Sequence, residues 1–232
     1  LLVVFASLMV RTWQALQDVE LGFTTEGVLA IYTAYQTGEG QAENRDGFYA
    51  TVLERIRALP GVSAAAGAAY LGMGWEPREM RDVFLDGRPT GRAGERPQAE
   101  FHAVTEDYLA TLQIPLLSGR DFGRGDTAER PAVALINAAL ARVLFPGESP
   151  IGRRIRTVNP RNPAMEIIGV VGDTRWEDPG RPPVPMIYAA TRQGAGNEPA
   201  LLVRSTLEKG ALVAAIREIL RQENPAVPAK FA

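Results

Sequence analysis

Residues 48–62 read FYATVLERIRALPGV, and the fold is decided here. Phe48, Val52, Leu53, Ile56 and Leu59 recur at steps of three and four, which puts them on one face of a helix. Asn44 or Asp46 is available to cap that helix and Pro60-Gly61 to stop it. Upstream of the polar run Thr37 to Asp46, Val28 to Gln36 (VLAIYTAYQ) is β-prone and apolar on both faces, as a strand covered on two sides requires. Downstream, Val62 to Tyr70 is a strand of small residues. The block reads β-α-β.

A second, less perfect copy lies near the other end. Ala200 to Thr206 is a strand, and Leu212, Val213, Ile216, Ile219 and Leu220 mark a helix that ends at Asn224-Pro225. The helix ends are comparable, ERIRALPGV at 54–62 and EILRQENPAV at 218–227. Two such units related by pseudo-symmetry predict a ferredoxin-like sheet. The second unit is expected to use Met165 to Gly172, with Met186 to Ala189 as an extra strand. Between the copies, Val83 to Leu85 and Gln98 to Val104 alternate as half-exposed strands. Thr105 is placed to cap a short helix through Leu112, with Glu106 and Asp107 in its first turn. Ala132 to Ile136 is a further strand, and Asn137 caps a helix that Pro146-Gly147 stops. The expected class is α+β. A split ferredoxin-like subdomain takes 22–70 and 164–232, and a small mixed α/β subdomain is inserted at 71–163.

Residues 1–21 stand apart. Leu1 to Val10 (LLVVFASLMV) is apolar except for Ser7 and runs into Arg11, Trp13, Leu16 and Val19 at helical spacing. A bilayer span needs about 20 apolar residues, so this is half of one. A signal-peptide core and an ordinary amphipathic helix are alternatives. The favoured reading is the end of a transmembrane helix, with Trp13 at the interface and Arg11 reaching water.

Composition excludes much chemistry. The 232 residues contain no cysteine, which removes disulfides, thiolate metal sites and cysteine nucleophiles. His102 is the only histidine, so any Ser-His-Asp triad would have to pass through it. Lysine occurs only at Lys209 and Lys230, neither in a Gly-Lys-Ser/Thr context, so no phosphate loop is present. The net charge of −2, with acids and bases interspersed, lacks the positive field of a nucleic-acid binder.

The remaining candidates have bland explanations. His102 is expected at a strand edge or facing solvent. Asp121, Asp126 and Glu129 cluster, but Arg120, Arg124 and Arg130 are close enough to neutralise them, and the spacing matches no calcium loop. Arg124-Gly125-Asp126 is a three-residue match expected by chance in an arginine-rich chain. Gly72, Gly74, Gly169, Gly172, Gly194 and Gly196 never form a dinucleotide fingerprint. Arg153, Arg154, Arg156 and Arg161 read as a solvated strand face. No catalytic, cofactor-binding or metal-binding residue is expected, and no enzymatic activity.

Several phrases together are more specific. Val104-Thr105-Glu106-Asp107-Tyr108-Leu109 and Leu112-Gln113-Ile114-Pro115-Leu116-Leu117-Ser118-Gly119-Arg120-Asp121-Phe122 are two of them. Val133 to Asn137, Phe145-Pro146-Gly147, Pro150 to Ile155 and Ile167 to Asp173 follow in order. With Gly22-Phe23, Val28-Leu29, Phe48-Tyr49 and Leu59 to Val62 at the front, the chain resembles the periplasmic core domain of MacB/FtsX-type ABC transporter permeases over nearly its whole length. Leu21 departs from the proline, and Leu109 from the phenylalanine, expected at those positions.

The resemblance implies an extracytoplasmic domain held between two helices of a permease repeat in the cell's inner (plasma) membrane, most similar to the second repeat of a duplicated permease. It implies a cytoplasmic ABC ATPase, the membrane and a periplasmic adaptor as partners, a dimeric or pseudo-dimeric assembly, and transmission of conformational change during export. The competing readings are a free-standing periplasmic ligand-binding or carrier domain and a secreted hydrolase.

Overall fold

The computed structural model describes residues 21–33, 42–69, 79–87, 95–158, 163–176, 180–195 and 200–232, with side chains of the first helix from Gly47 onward. The expected N-terminal helix at 1–20, the end of the expected first strand at 34–36, Gly72, Gly74, Arg161 and Gly196 lie outside the described residues, as does 37–41 of the expected loop Thr37 to Asp46, whose remainder, 42–46, is helical.

Four strands form one part of the molecule. They are β1 (Val28–Thr33), β2 (Val62–Ala68), β10 (Ala200–Ser205) and β11 (Ala229–Phe231), in the order β11-β1-β10-β2 with every neighbour antiparallel. Helix α1 (Ala42–Arg57) connects β1 to β2, and α4 (Lys209–Glu223) connects β10 to β11. The periodic residues of the first block behave as their spacing requires. Val52, Leu53 and Ile56 of α1 pack with Leu212, Ile216 and Leu220 of α4 over Leu29, Ile31, Leu201 and Val203. The opposite face of β1 is also covered, since Ala30, Val28 and Tyr32 enter a second core. The helix begins at Ala42, so Asn44 and Asp46 lie within it and do not cap it. Its end is as expected: Gly61 takes φ 84°, and a Cβ there would come within 2.9 Å of Leu207 Cγ.

The other strands are β3 (Met80–Leu85), β4 (Gln98–Val104), β5 (Leu116–Gly119), β6 (Val133–Asn137), β7 (Arg154–Thr157), β8 (Met165–Val171) and β9 (Met186–Ala190). Their pairings run β4-β3-β7-β8-β6-β9, and β9 then pairs with β4 in parallel register, so the ring closes on itself. Strand β5 pairs β8 outside that ring. Val83, Phe101, Ile136, Ile155, Ile167 and Ile187 fill a shared core, which Leu140 and Phe145 of α3 (Ala138–Leu144) and its C-cap join. Met165–Val171 and Met186–Ala190, expected with the second β-α-β unit, are staves of this ring. The fourth strand of the four-stranded part is the short β11, which carries too few residues for a visible alternation.

Closure also corrects the reading of Gln98–Val104. Only Gln98 is exposed, because Phe101 faces the ring's interior while His102 faces the outer core that holds Tyr188 and Tyr108. His102 is 1% exposed and not solvent-facing. The Asn137 cap is present, its Oδ1 accepting from Leu140 N at 3.0 Å. The Thr105 cap is not. Helix α2 (Tyr108–Leu112) starts after Asp107 at φ 68°, and the Thr105 hydroxyl instead accepts from Gly67 N on β2 at 2.8 Å.

The two parts meet along β2 and β4 at one residue pair, Ala68 with Val104. Two backbone hydrogen bonds flank it, Ala69 N to Ala103 O and Thr105 N to Gly67 O, each 2.9 Å. Beneath this seam Ala66, Ala68 and Leu202 share a core with Leu109, Leu112, Val171 and Tyr188.

Candidate functional site

Two features lie where the parts join. The first is the junction with the N-terminal segment. Gly22, at φ 77°, lies so close to Asp173 that a Cβ would sit 1.9 Å from its carbonyl oxygen, and Arg175 N donates to Leu21 O at 2.9 Å. Phe23 stacks on Trp176 with ring centroids 4.0 Å apart. Arg204, on β10, then donates from its three guanidinium nitrogens to the carbonyls of Thr111, Glu26 and Thr24, each at 2.7 Å. A planar fork with fixed donors suits three carbonyls from two segments. At the other end of the chain β11 runs antiparallel to β1, and Ala232 N donates to Ala30 O at 2.9 Å. The last strand therefore ends beside β1, while Leu21 and Gly22 lie against Asp173 and Arg175, which follow β8 of the ring.

The second feature is a cleft of about 530 Å³ between α1 and the ring. Tyr49, Ala50, Leu53 and Arg57 form one wall, and Thr105, Glu106, Ala128, Glu129 and Arg192 the other. Glu106 sits at the end of β4 with its carboxylate held by Arg192 through two hydrogen bonds of 3.1 Å, and Arg57 of α1 lies 3.6 Å away. Arg57 also reaches Asp107 at 3.2 Å and donates to Ala65 O at 2.9 Å. Burial raises the pKa of Glu106, but hydrogen bonding and charge from Arg192, with the charge of Arg57, outweigh it and hold the carboxyl below its usual value.

The residues singled out from sequence fall elsewhere. Asp126 accepts from Arg120 at 2.7 and 2.8 Å and from Gly123 N at 2.9 Å, so this member of the acidic cluster is ion-paired, while Asp121 accepts from Phe122 N at 2.7 Å. Arg153 pairs with Glu148, and Arg154 and Arg156 both with Asp86. His102 lies 3.3 Å from Glu100, in the core and away from the cleft. Among the described residues no three His, Cys, Asp or Glu side chains are grouped to hold a metal, and no helix is long and apolar enough to cross a membrane. Arg57, Glu106, Arg192 and Arg204 were not singled out from sequence. Arg204 alone had a signal, a charge ending the apolar run Ala200–Val203.

The fold and these features define a two-part α/β domain in which Arg204 ties the entering segment to α2 and Arg57, Glu106 and Arg192 line the cleft. The chain belongs to the family described as MacB-like periplasmic core domain, which matches residues 2–223. That family is a periplasmic part of membrane transporters and not an enzyme family. Two curated relatives are macrolide export ATP-binding/permease proteins MacB. The one from Marinobacter nauticus is 32% identical over 90 residues, 38% of this chain and 14% of the relative. The one from Syntrophobacter fumaroxidans is 26% identical over 163 residues, 62% of this chain and 22% of the relative. The chain thus spans less than a quarter of either. Among solved structures, the periplasmic region of MacB from Actinobacillus actinomycetemcomitans superposes with a TM-score of 0.60 at 12% identity, covering 94% of this chain and 93% of that one. The extracellular domain of the noncanonic ABC-type transporter YknZ from Gram-positive bacteria gives 0.54 at 13% identity, with 87% and 99% covered.

Proposed function

We propose that the chain is the extracytoplasmic domain of an inner-membrane ABC transporter permease, and that it transmits conformational change from a cytoplasmic ATPase while docking substrate or a periplasmic adaptor for export. The observation that carries this reading is the match of the MacB-like periplasmic core domain family over residues 2–223. The ties around β1 support it: Arg204 staples the segment entering β1 to α2, and the last strand, β11, pairs that same β1. The end of a transmembrane helix at residues 1–21 would deliver its displacement to that staple. The order β11-β1-β10-β2 with α1 and α4 on one face supports a ferredoxin-like, porter-like subdomain split by an inserted one. A dimeric or pseudo-dimeric permease belongs to the same reading.

The test is uncoupling in the full-length transporter. Arg204→Ala is expected to leave the ATPase running while export falls, because the domain is no longer rigidly joined to its membrane segment. Unchanged export in a correctly inserted, folded Arg204→Ala protein would remove the staple from the mechanism. Export-competent protein found wholly outside the membrane would favour the free-standing carrier.

A further inference from the structure

We infer that Arg57 and Glu106 form an ionic latch that holds the cleft closed, and that the two parts of the domain bend apart about the β2–β4 seam when the latch is released. Three observations converge. First, the strand ladder at the seam is short, with one residue pair, two flanking backbone hydrogen bonds and the bond from Gly67 N to the Thr105 hydroxyl; the further ties, from Arg204 to Thr111 O and from Thr24 N to Leu112 O, run to α2. Its residues Ala65, Ala66, Gly67 and Ala68 are all small, so side chains on β2 offer little obstruction to a change in angle. Second, the two faces of the seam are held differently. One is glued by the apolar core of Ala66, Ala68, Leu109 and Leu112, which keeps the parts attached. The other face opens into the cleft, where Arg57 on one wall meets Glu106 and Asp107 on the other.

Third, Glu106 is aimed. Arg192, from the turn after β9, grips both carboxylate oxygens and holds the side chain toward Arg57. Arg57 is aimed as well, since its Nε also donates to Ala65 O within the seam. The latch is therefore preorganised on both sides. Apolar burial is non-directional and tolerates small rotations, whereas paired charges are held at fixed separation. The attachment survives the opening and the latch does not.

The test uses the absence of cysteine in the chain. Ala50→Cys and Ala128→Cys place spin labels on exposed positions of opposite walls, and pulsed electron resonance reads the distance between them. The parent is expected to give one narrow distribution. Arg57→Gln is expected to shift it to longer distances and broaden it, Glu106→Gln to do so less because Asp107 still pairs with Arg57, and the double variant to do no more than Arg57→Gln alone. Amide exchange at Ala69 and Thr105, the donors of the seam, is expected to quicken about tenfold in the same variants while β1 and β6 stay protected. Distributions that superimpose on the parent would overturn the latch, as would a lower melting temperature without a change in distance. Should Glu106→Gln fail to fold, Arg57→Gln, which leaves the Glu106–Arg192 pair intact, decides alone.

Discussion

Arg204 Nη2 donates to the carbonyl of Thr24 at 2.7 Å, across a sequence separation of 180 residues. The same guanidinium holds Glu26 and Thr111, so one side chain joins β10, the segment entering β1 and the end of α2. A charge at that point in an apolar strand is a device for holding backbone. Removing it leaves three carbonyls to find water or go unpaired.

Arg204→Met is therefore expected to destabilise the domain by about 2–4 kcal/mol, because hydrogen bonds to charged groups are worth more than neutral ones and their carbonyl partners are left behind. Urea unfolding measures the loss. Arg204→Lys should recover only part of it, since one ammonium cannot reproduce the three-pronged geometry.

Asn137 is 0% exposed and its side chain makes three hydrogen bonds. Its Oδ1 accepts from Leu140 N and Met186 N at 3.0 and 2.9 Å, and its Nδ2 donates to Val184 O at 2.8 Å. Asn137→Ala strips a helix cap and orphans groups on the segment entering β9, for an expected loss of about 3 kcal/mol. Asn137→Asp keeps the two acceptor contacts but loses the donor, and calorimetry should place it between the alanine variant and the parent.

Acid should separate two neighbouring carboxylates. The hydrogen bond from Arg120 holds Asp126 below its ordinary pKa, whereas burial pushes Asp121 above its own despite the bond from Phe122 N. A depressed folded-state value means Asp126 contributes stability above the unfolded carboxylate range and loses it as pH falls through the folded value. A raised value has the opposite sign, so charged Asp121 weakens the fold at neutral pH. Melting temperatures at about pH 7 and about pH 3 should show Asp126→Asn destabilising at the higher pH and less so at the lower, as the stabilisation is lost on the approach to the depressed folded-state value. Asp121→Asn should be neutral or stabilising at about pH 7. Equal losses in both variants would contradict the assignment.

The Tyr108 hydroxyl is buried without a hydrogen-bond partner among the described residues, and burial pushes its pKa well up. Tyr108→Phe removes an unsatisfied polar atom and keeps the ring that packs 5.9 Å from Tyr188. The expectation is no loss of stability and a gain of up to about 1 kcal/mol, measured by thermal unfolding.

Amino-acid order alone determined the elements whose signal is local. The three-and-four spacing of Val52, Leu53 and Ile56, the two-faced apolarity of β1, the Asn137 cap and the Gly61 stop depend on neighbours within a turn or two. The absence of cysteine and the solitary histidine bounded the chemistry before any fold was known. The phrases running to Asp173 placed the chain in its family, which the match over residues 2–223 established. Tertiary structure decided the rest, because strand partnership is non-local. Nothing in MEIIGVVG or MIYAA states that β8 and β9 are staves of a closed ring, and closure is what buries His102 on a strand that alternation marked as half-exposed. Arg57, Glu106, Arg192 and Arg204 look like ordinary surface charges until the chain brings residues dozens to nearly two hundred positions apart within hydrogen-bond reach, and burial then makes those few contacts worth holding.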